Sequence, residues 1–393
     1  MRKQRKAFYK RPEWLILGII CIAANLRAPV TGVAPVIESI QHSYALTAAQ
    51  AGLLTSSPLL FFALFSLVAA PLARSVGLER ALFIALSAMV VGVFWRVYPS
   101  VFSLYAGNNL IAVGIALGNV LVPSLIKAYF PQRIAFLTAI YSLMMGISAA
   151  VVSALAIPLT EHTSWGWRSA LLSVGVMVVV SWLVWLPQIR KGARRPSRAA
   201  QQTQTPMWRH PIAWQVTFFL GGNSLFYYIF VSWLPSLLIS LGFSAALAAN
   251  MHGLMQLASA VAGLLILPIV RHYSDQRPAV ICSIAPIFIG LLGLWWVPSW
   301  AFVWALLLGL GSGAVFVLAL SFFGLRVTTT AQAASLAGMA QFIGYLMAAT
   351  GPSLMGAFYD WTHSWVPMLV FCLVVSIIML VFGLAAGRNV KIK

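Results

Sequence analysis

The decapeptides "PLARSVGLER" at residues 71–80 and "PIVRHYSDQR" at residues 268–277 are two copies of one motif that lie half a chain apart. Both fit the pattern P-x-x-R-x-x-[GS]-x-[EQ]-R, and both follow a long apolar segment. An internal repeat of this length predicts two halves of similar structure in parallel orientation. Two G-x-x-x-G pairs repeat at nearly the same spacing, and close helix packing is their simplest role. These pairs are Gly114 with Gly118 and Gly309 with Gly313.

The composition places the repeated halves in a membrane. Of the 393 residues, 61% are hydrophobic and 8% are charged, and the mean hydropathy is +0.92. Apolar runs of about 20 residues, the length that crosses about 30 Å of hydrocarbon, recur along the chain. We therefore predict an all-α membrane protein with 12 transmembrane helices in two six-helix bundles. The predicted spans are residues 14–36, 48–73, 80–97, 101–129, 134–158, 167–187, 212–240, 245–270, 278–297, 300–324, 332–358 and 365–387.

The distribution of charge predicts the orientation of the two bundles, which cover residues 1–187 and 212–393. Residues 188–211 between them are polar, basic and rich in turn formers, as expected for a cytoplasmic linker. All but three of the 25 Lys and Arg residues lie at the termini, in this linker or in loops on its side of the predicted membrane. By the positive-inside rule, both termini are cytoplasmic. Because the charge is divided among short segments, the net charge of +19 does not indicate a nucleic-acid partner.

Of the three exceptions, Arg96 and Arg168 lie on the opposite side, and Arg27 lies inside the first span, in "ICIAANLRAPVTGVAP" at residues 20–35. A charge at the centre of a membrane helix costs about 2.5–3.5 kcal/mol, so it normally faces a cavity and has a partner. The six acidic residues all lie at span ends or in loops, so none is at the depth of Arg27. The nearby prolines predict a broken helix. Arg27 then either holds the bend through backbone carbonyls and tyrosines, or binds a small planar anion with its guanidinium fork. We favour the second role.

Other polar residues inside the predicted spans occur in pairs four residues apart, which places each pair on one helix face. For each residue alone, a hydrogen bond between helices is an equally good interpretation. No metal or cofactor is predicted, and the three cysteines are interpreted as packing residues. The predicted substrate-binding residues are Arg27, Thr31, Asn25, Asn119, Tyr141, Asn223, Tyr227, His252, Gln256, Gln341 and Tyr345.

The acidic residues also bear on mechanism. Proton-coupled carriers of cationic drugs use a carboxylate inside the membrane, and the interior of the predicted spans contains none. Proton coupling would then run through His252, through the ionisation of the substrate itself or through water. His252 is the candidate residue, with a structural, hydrogen-bonded histidine as the alternative. Enzymes and ATP-driven pumps are disfavoured because their motifs, such as H-E-x-x-H and G-x-x-x-x-G-K-[ST], are missing from the sequence. A channel and a sensor stay open as alternatives, and saturation of the flux separates a carrier from a channel.

Several stretches resemble a known superfamily. The loop "APLARSVGLERAL" (residues 70–82) and "GPSLMG" (residues 351–356) are similar to two motifs of the major facilitator superfamily, although Arg74 stands where the loop motif usually has Asp. A closer resemblance is to its cyanate porter branch, whose bacterial members carry cyanate or 2-nitroimidazole. It rests on "NLRAPVTGVAP" (25–35), "GNVLVPSLIKAYFPQR" (118–133), "FVSWLPSLLISLGFS" (230–244) and "GYLMAATGPSLMGAFYDWTHSW" (344–365).

This resemblance implies a secondary transporter of the bacterial inner membrane that works by alternating access on a small polar or anionic solute. The substrate site is then expected between the two halves, near the middle of the bilayer, with Arg27 in the most characteristic stretch of the branch. Length and overall pattern look most like the 2-nitroimidazole transporters of the branch, for which efflux is the expected direction. A proton-coupled multidrug efflux carrier and a passive facilitator are the alternatives. The expected partners are the solute and the lipid bilayer, and the expected state is a monomer.

Overall fold

The computed structural model describes residues 12–130, 132–190, 207–328 and 330–392. Within these ranges the regular structure is helical throughout. Short 3-10 helices at Ala34–Val36, Leu186–Arg190, Met207–Arg209 and Pro298–Trp300 lie between longer α-helices. The α-helices are α1 (Pro12–Asn25), α2 (Ala28–Thr31), α3 (Ile37–Tyr44), α4 (Ala48–Val76), α5 (Leu78–Arg96), α6 (Val101–Tyr129), α7 (Ile134–Glu161), α8 (Trp167–Trp185), α9 (Pro211–Ser240), α10 (Ala245–His272), α11 (Arg277–Trp296), α12 (Ala301–Leu325), α13 (Thr330–Thr362) and α14 (Val366–Gly387).

The predicted first span is a helix with a break in it. Helix α1 ends at Asn25, and α2 begins at Ala28 with a proline, which lacks an N–H group, in its first turn. The segment was predicted to end at residue 36, but α3 continues it to Tyr44. Helix α3 is amphipathic: Ile37 and Ile40 are fully buried, whereas its polar residues lower the hydropathy of the run. The predicted first span therefore ended one helix too early.

Eleven segments in the described ranges are long and apolar enough to cross a membrane, beginning with Glu13–Tyr44. Helix α13, at the predicted span 332–358, has 33 residues but is not one of the eleven, because glutamines, glycines and hydroxyl residues interrupt its apolar pattern. The count of twelve spans therefore stays a prediction. The predicted linker is bounded by the 3-10 helices Leu186–Arg190 and Met207–Arg209, and its residues 191–206 lie outside the described residues.

The packing of the helices repeats along the chain. Helix α4 packs on α6 as α10 packs on α12, and α5 packs on α6 and α8 as α11 packs on α12 and α14. Buried apolar side chains form two large clusters, one mainly from residues 15–185 and the other mainly from residues 207–392. Helices α4 with α13 and α7 with α10 make the main contacts between these two sets. The glycine pairs lie at close helix contacts, since a Cβ on Gly313 would be 2.1 Å from the Ser259 carbonyl oxygen.

One end of the bundle, which we call the distal end, carries the turns at residues 45–47, 162–166, 241–244 and 363–365. There α4 is held tightly against α13. The Asp360 carboxylate accepts hydrogen bonds from the backbone N–H groups of Ala48 and Ala49, both at 2.8 Å. A negative charge at the positive end of the α4 helix dipole is stabilising. About two turns further in, the Ser353 hydroxyl donates to the Ser56 hydroxyl at 3.0 Å. The distal end is closed by these contacts between the two sets of helices.

Gly356 permits the closest approach at this end, because a Cβ there would lie 2.3 Å from the Ala48 carbonyl oxygen. We predict that Gly356→Ala shifts the protein towards a state with the distal end open, since overpacking costs about 1–3 kcal/mol. A cysteine placed at Ser56, which is 3% exposed, is then labelled by a water-soluble maleimide roughly fivefold faster or more. Gly338→Ala on the same helix is the matched control, because its Cβ meets nothing within 4 Å. Equal labelling rates in the two variants would contradict the prediction.

Candidate functional site

The site is built around the break between α1 and α2. Arg27 immediately precedes α2, and its side chain is half-buried. The guanidinium carbon lies 5.0 Å from the centre of the Tyr227 ring in α9. A cation over an aromatic face at this distance is attracted by the ring quadrupole. Because α2 belongs to the first predicted half and α9 to the second, this contact bridges the two halves.

Three further tyrosines lie close enough to Arg27 to interact with its charge. They are Tyr141 of α7, Tyr228 of α9 and Tyr345 of α13. The Tyr345 ring meets the edge of Phe62 at a centroid distance of 5.6 Å. Tyrosine combines an apolar ring with a polar hydroxyl, so this group suits a small solute that has both a flat face and hydrogen-bonding atoms.

A chain of hydrogen bonds runs from Tyr227 towards the distal end. The Tyr227 hydroxyl donates to the side-chain oxygen of Gln256, and the Gln256 amide nitrogen lies 3.2 Å from Nε2 of His252. The other ring nitrogen of His252 lies 3.0 Å from the Ser153 hydroxyl in α7. Gln256 and His252 are fully buried on α10. The chain therefore joins the ring under Arg27 to a contact between α7 and α10, which come from different halves.

No carboxylate neutralises Arg27 in the part of the chain that the structure describes. The ion pair found there joins Arg277 to Asp275, at 3.6 Å, and both side chains are about half exposed. No residue in the described ranges accepts a hydrogen bond from the Arg27 guanidinium, either. Its planar N–H donors are therefore available to an acceptor from outside the protein, and they suit two oxygen atoms of one ligand.

Two of the predicted binding residues form hydrogen bonds that shape the break. The fully buried Asn25 donates to the Ser181 hydroxyl at 2.6 Å and to the Cys21 carbonyl at 2.8 Å, which ties α1 to α8. The Thr31 hydroxyl lies 3.3 Å from the Arg27 carbonyl oxygen in its own helix. The side chains of Asn25 and Thr31 thus form hydrogen bonds within the protein next to the break.

The remaining predicted residues differ in their surroundings. Asn119 accepts a hydrogen bond from the Tyr141 hydroxyl at 3.0 Å, so it orients a tyrosine near Arg27. Asn223 is 3% exposed, and its side-chain oxygen has no partner among the described residues. Gln341 is half-buried one turn before Tyr345 on α13. The predicted pair of His252 and Gln256 is in direct contact, as described above.

Arg96 is a residue of this site that the sequence analysis placed on the far side. It ends α5 and is fully buried. Its two terminal nitrogens donate to the carbonyl oxygens of Pro29 at 2.8 Å and Leu171 at 2.9 Å. The Val33 N–H, which would bond Pro29 in a regular helix, instead donates to Val30. Arg96 therefore binds a carbonyl that loses its helical donor where α2 ends, two residues after Arg27. Its position inside the predicted span 80–97 was the signal that could have revealed it.

The outer surface and the centre of the helices together define a class of protein. Side chains such as Leu64, Leu67 and Val176 are more than half exposed and apolar, as on a surface that faces lipid. At the centre of the helices are a cation, tyrosines and amides, and no group of metal-binding side chains occurs in the described residues. Such a molecule is a multi-pass membrane protein with a polar cluster among its central helices.

Comparisons with known proteins identify the superfamily within this class. The model of the Major Facilitator Superfamily matches residues 15–349, and the chain belongs to that superfamily. It is 47% identical over 380 residues to the 2-nitroimidazole transporter of Escherichia coli (strain K12), covering 96% of each chain. It is 27% identical over 346 residues to the cyanate transport protein CynX of the same organism, covering 87% of this chain and 89% of that one. The family resemblance inferred from the sequence is confirmed, and the chain is a membrane transporter.

A solved structure shares the fold. The bacterial homologue of the human lysosomal transporter Spinster, in an inward-facing and unoccupied conformation, matches with a TM-score of 0.73 and 16% identity. The match covers 97% of this chain and 98% of that one. The helical arrangement described above is therefore a major facilitator fold.

Arg96 provides a test of how the site is held. We predict that Arg96→Lys lowers the free energy of unfolding by about 1–3 kcal/mol, because a single ammonium group leaves one of two buried carbonyls without its donor. Thermal melting of the purified protein in detergent measures the change. Arg277→Lys is the control, because that side chain is about half exposed and its ion pair contributes little. Equal melting temperatures for the two variants would show that Arg96 does not support the break.

Proposed function

We propose that this chain carries a small planar polar or anionic solute across the bacterial inner membrane by alternating access, and that Arg27 is its main anchor. The substrates we propose are 2-nitroimidazole, with efflux as the direction, and cyanate. The names of the two relatives suggest these solutes. The observation that carries the proposal is the Arg27 guanidinium itself: it lies over Tyr227 between the two halves, without a carboxylate in the described residues.

The chemistry of both solutes fits this arrangement. A nitro group presents two oxygens in one plane, and the planar guanidinium can donate to both at once. Cyanate is a small anion that meets the positive charge directly. The tyrosines around Arg27 offer flat faces to a heteroaromatic ring and hydroxyl groups to its polar atoms. No step in this scheme requires catalysis, a metal or a cofactor.

The two halves are proposed to be the moving units, as six-helix bundles at residues 1–187 and 212–393. We place both termini and the linker in the cytoplasm, so that the distal end faces outwards. The distal end is closed by the hydrogen bonds of Asp360 and of the Ser56–Ser353 pair, and this closure then corresponds to a state that is open to the cytoplasm. A solute held by Arg27 from one half and by Tyr227 from the other would strengthen the contact between them. We further propose that the protein acts as a monomer, without nucleic acid.

The alternative of a proton-coupled multidrug carrier is less well supported. Such carriers use a carboxylate in the membrane as counter-ion and proton site. Of the acidic residues, Asp360 is near the distal end and already accepts two backbone hydrogen bonds. A passive channel is less consistent with a distal end that is closed by so many close contacts.

We predict that Arg27→Ala weakens the binding of 2-nitroimidazole and of cyanate by roughly tenfold or more, because a hydrogen bond to a charged group contributes about 1.5–3 kcal/mol. Arg27→Lys keeps the charge but loses the planar fork, so it should affect 2-nitroimidazole more than cyanate. Calorimetry on the purified variants measures both affinities, and thermal melting checks the fold. Tyr227→Phe is the matched control, because it keeps the ring under the cation. Undiminished binding by both Arg27 variants would make Arg27 a structural residue.

We also predict that the pH dependence of transport shifts in His252→Gln, because the variant removes the imidazole while keeping a hydrogen-bonding side chain beside Ser153 and Gln256. Uptake into proteoliposomes, measured across pH at matched protein levels, is the readout. Ser153→Ala is the control, since it removes the partner and leaves the imidazole in place. If His252→Gln has the pH profile of the unmodified protein, proton coupling does not pass through His252.

A further inference from the structure

A second cavity, separate from the cluster around Arg27, lies at the distal end. Its volume is about 620 Å³, within the range of sites for small organic ligands. It lies between α3 on one side and the distal ends of α9 and α13 on the other. The lining residues are Glu38, Gln41, His42, Ala45, Leu46, Ala48, Trp233, Ser236, Ile239, Ser240, Tyr359 and Trp365. The two halves therefore both contribute to its wall.

The charge of this cavity is opposite to that of the Arg27 site. Glu38 is in its lining, and no lysine or arginine is. The Asp360 carboxylate is close by, because it binds the backbone of the lining residue Ala48. In a chain with 25 basic and six acidic residues, a cavity lined by a carboxylate and no permanent cation favours a positively charged ligand.

A buried hydroxyl in the wall has no partner. Ser236 is 6% exposed, and its oxygen forms no hydrogen bond with any residue in the described part of the chain. Most serines in these helices bond a carbonyl in the preceding turn, as Ser240 bonds Leu237 at 2.7 Å. The Ser236 oxygen is itself fully buried, so this hydroxyl is a polar group within the wall and does not contact a ligand in the cavity directly.

Aromatic rings form much of the remaining wall. Tyr359 and Trp365 are stacked with their centroids 4.4 Å apart, and Trp233 lies 5.0 Å from Trp365. The Trp233 indole N–H is already bound to the Pro352 carbonyl at 2.8 Å, which fixes that ring. Aromatic faces attract cations and pack on flat apolar bodies. Together with Glu38, they favour a planar organic cation over a metal ion.

We propose that this distal cavity binds a small planar organic cation that carries N–H donors, with Glu38 as its counter-ion and hydrogen-bond acceptor and the tryptophans and Tyr359 as its aromatic wall. A cation held there contacts both halves while the distal end is closed. It therefore stabilises that state and inhibits transport. The binding of the cation does not depend on the proposed function. The inhibition of transport does rest on the proposed function.

Benzamidinium and benzamide are the probes for this proposal. They have nearly the same shape, and benzamidinium carries a positive charge where benzamide is neutral. Calorimetry on the purified full chain should show saturable binding of benzamidinium, with benzamide roughly tenfold weaker, as expected when a charge pair contributes about 1.4 kcal/mol. Glu38→Gln should reduce the affinity for benzamidinium by a similar factor and leave that for benzamide unchanged. Equal binding of the two probes, or an unaffected Glu38→Gln, would overturn the proposal.

The location is tested by protection of a cysteine at the rim. In a Cys282→Ser background, which removes the exposed native thiol, a cysteine at Ser240 should react with maleimide more slowly when benzamidinium is present. Arg27→Ala distinguishes this cavity from the central site: benzamidinium should bind that variant as it binds the unmodified protein, even if the variant no longer transports. Loss of benzamidinium binding in Arg27→Ala, or no protection at residue 240, would place the cation elsewhere and overturn the proposal.

Discussion

The structure depends on one constraint, a permanent positive charge inside the membrane that has no carboxylate to neutralise it in the described residues. A charge at that depth costs about 2.5–3.5 kcal/mol on insertion scales. The protein offsets part of this cost with the aromatic face of Tyr227, and three more tyrosines lie close enough to interact with the charge of Arg27. What remains is a charge with free hydrogen-bond donors, which a solute with acceptor oxygens can satisfy.

The helix break lies at the same place. Arg27 stands between α1 and α2, and the end of α2 leaves the Pro29 carbonyl without its usual donor. Arg96 binds that carbonyl, and Asn25 ties the end of α1 to Ser181. Two arginines therefore work together: Arg96 is buried and fixes the backbone, and Arg27 is accessible and available to the solute. The hydrogen-bond chain from Tyr227 through Gln256 and His252 to Ser153 then links this centre to the α7–α10 contact between the halves.

Much of this could be predicted from the sequence. Apolar runs of membrane length predicted nearly all the helices, because a helix that crosses lipid requires that pattern. A lone arginine among these runs indicated the candidate site. The failures have physical reasons. The polar face of α3 ended the apolar run too early, and the polar residues of α13 lowered its hydropathy. Arg96 was assigned only to the far side of the membrane, because its partners are backbone carbonyls, which have no sequence signal. Asp360 bonds residues some three hundred positions earlier, so that contact exists only once the helices are packed.

A structure determined with 2-nitroimidazole or cyanate bound would show whether Arg27 anchors the solute. We expect ligand density between Arg27 and the nearby tyrosines, with ligand acceptor atoms within hydrogen-bond distance of the guanidinium. Density elsewhere, with the guanidinium still over Tyr227 and without contact to the ligand, would contradict this expectation.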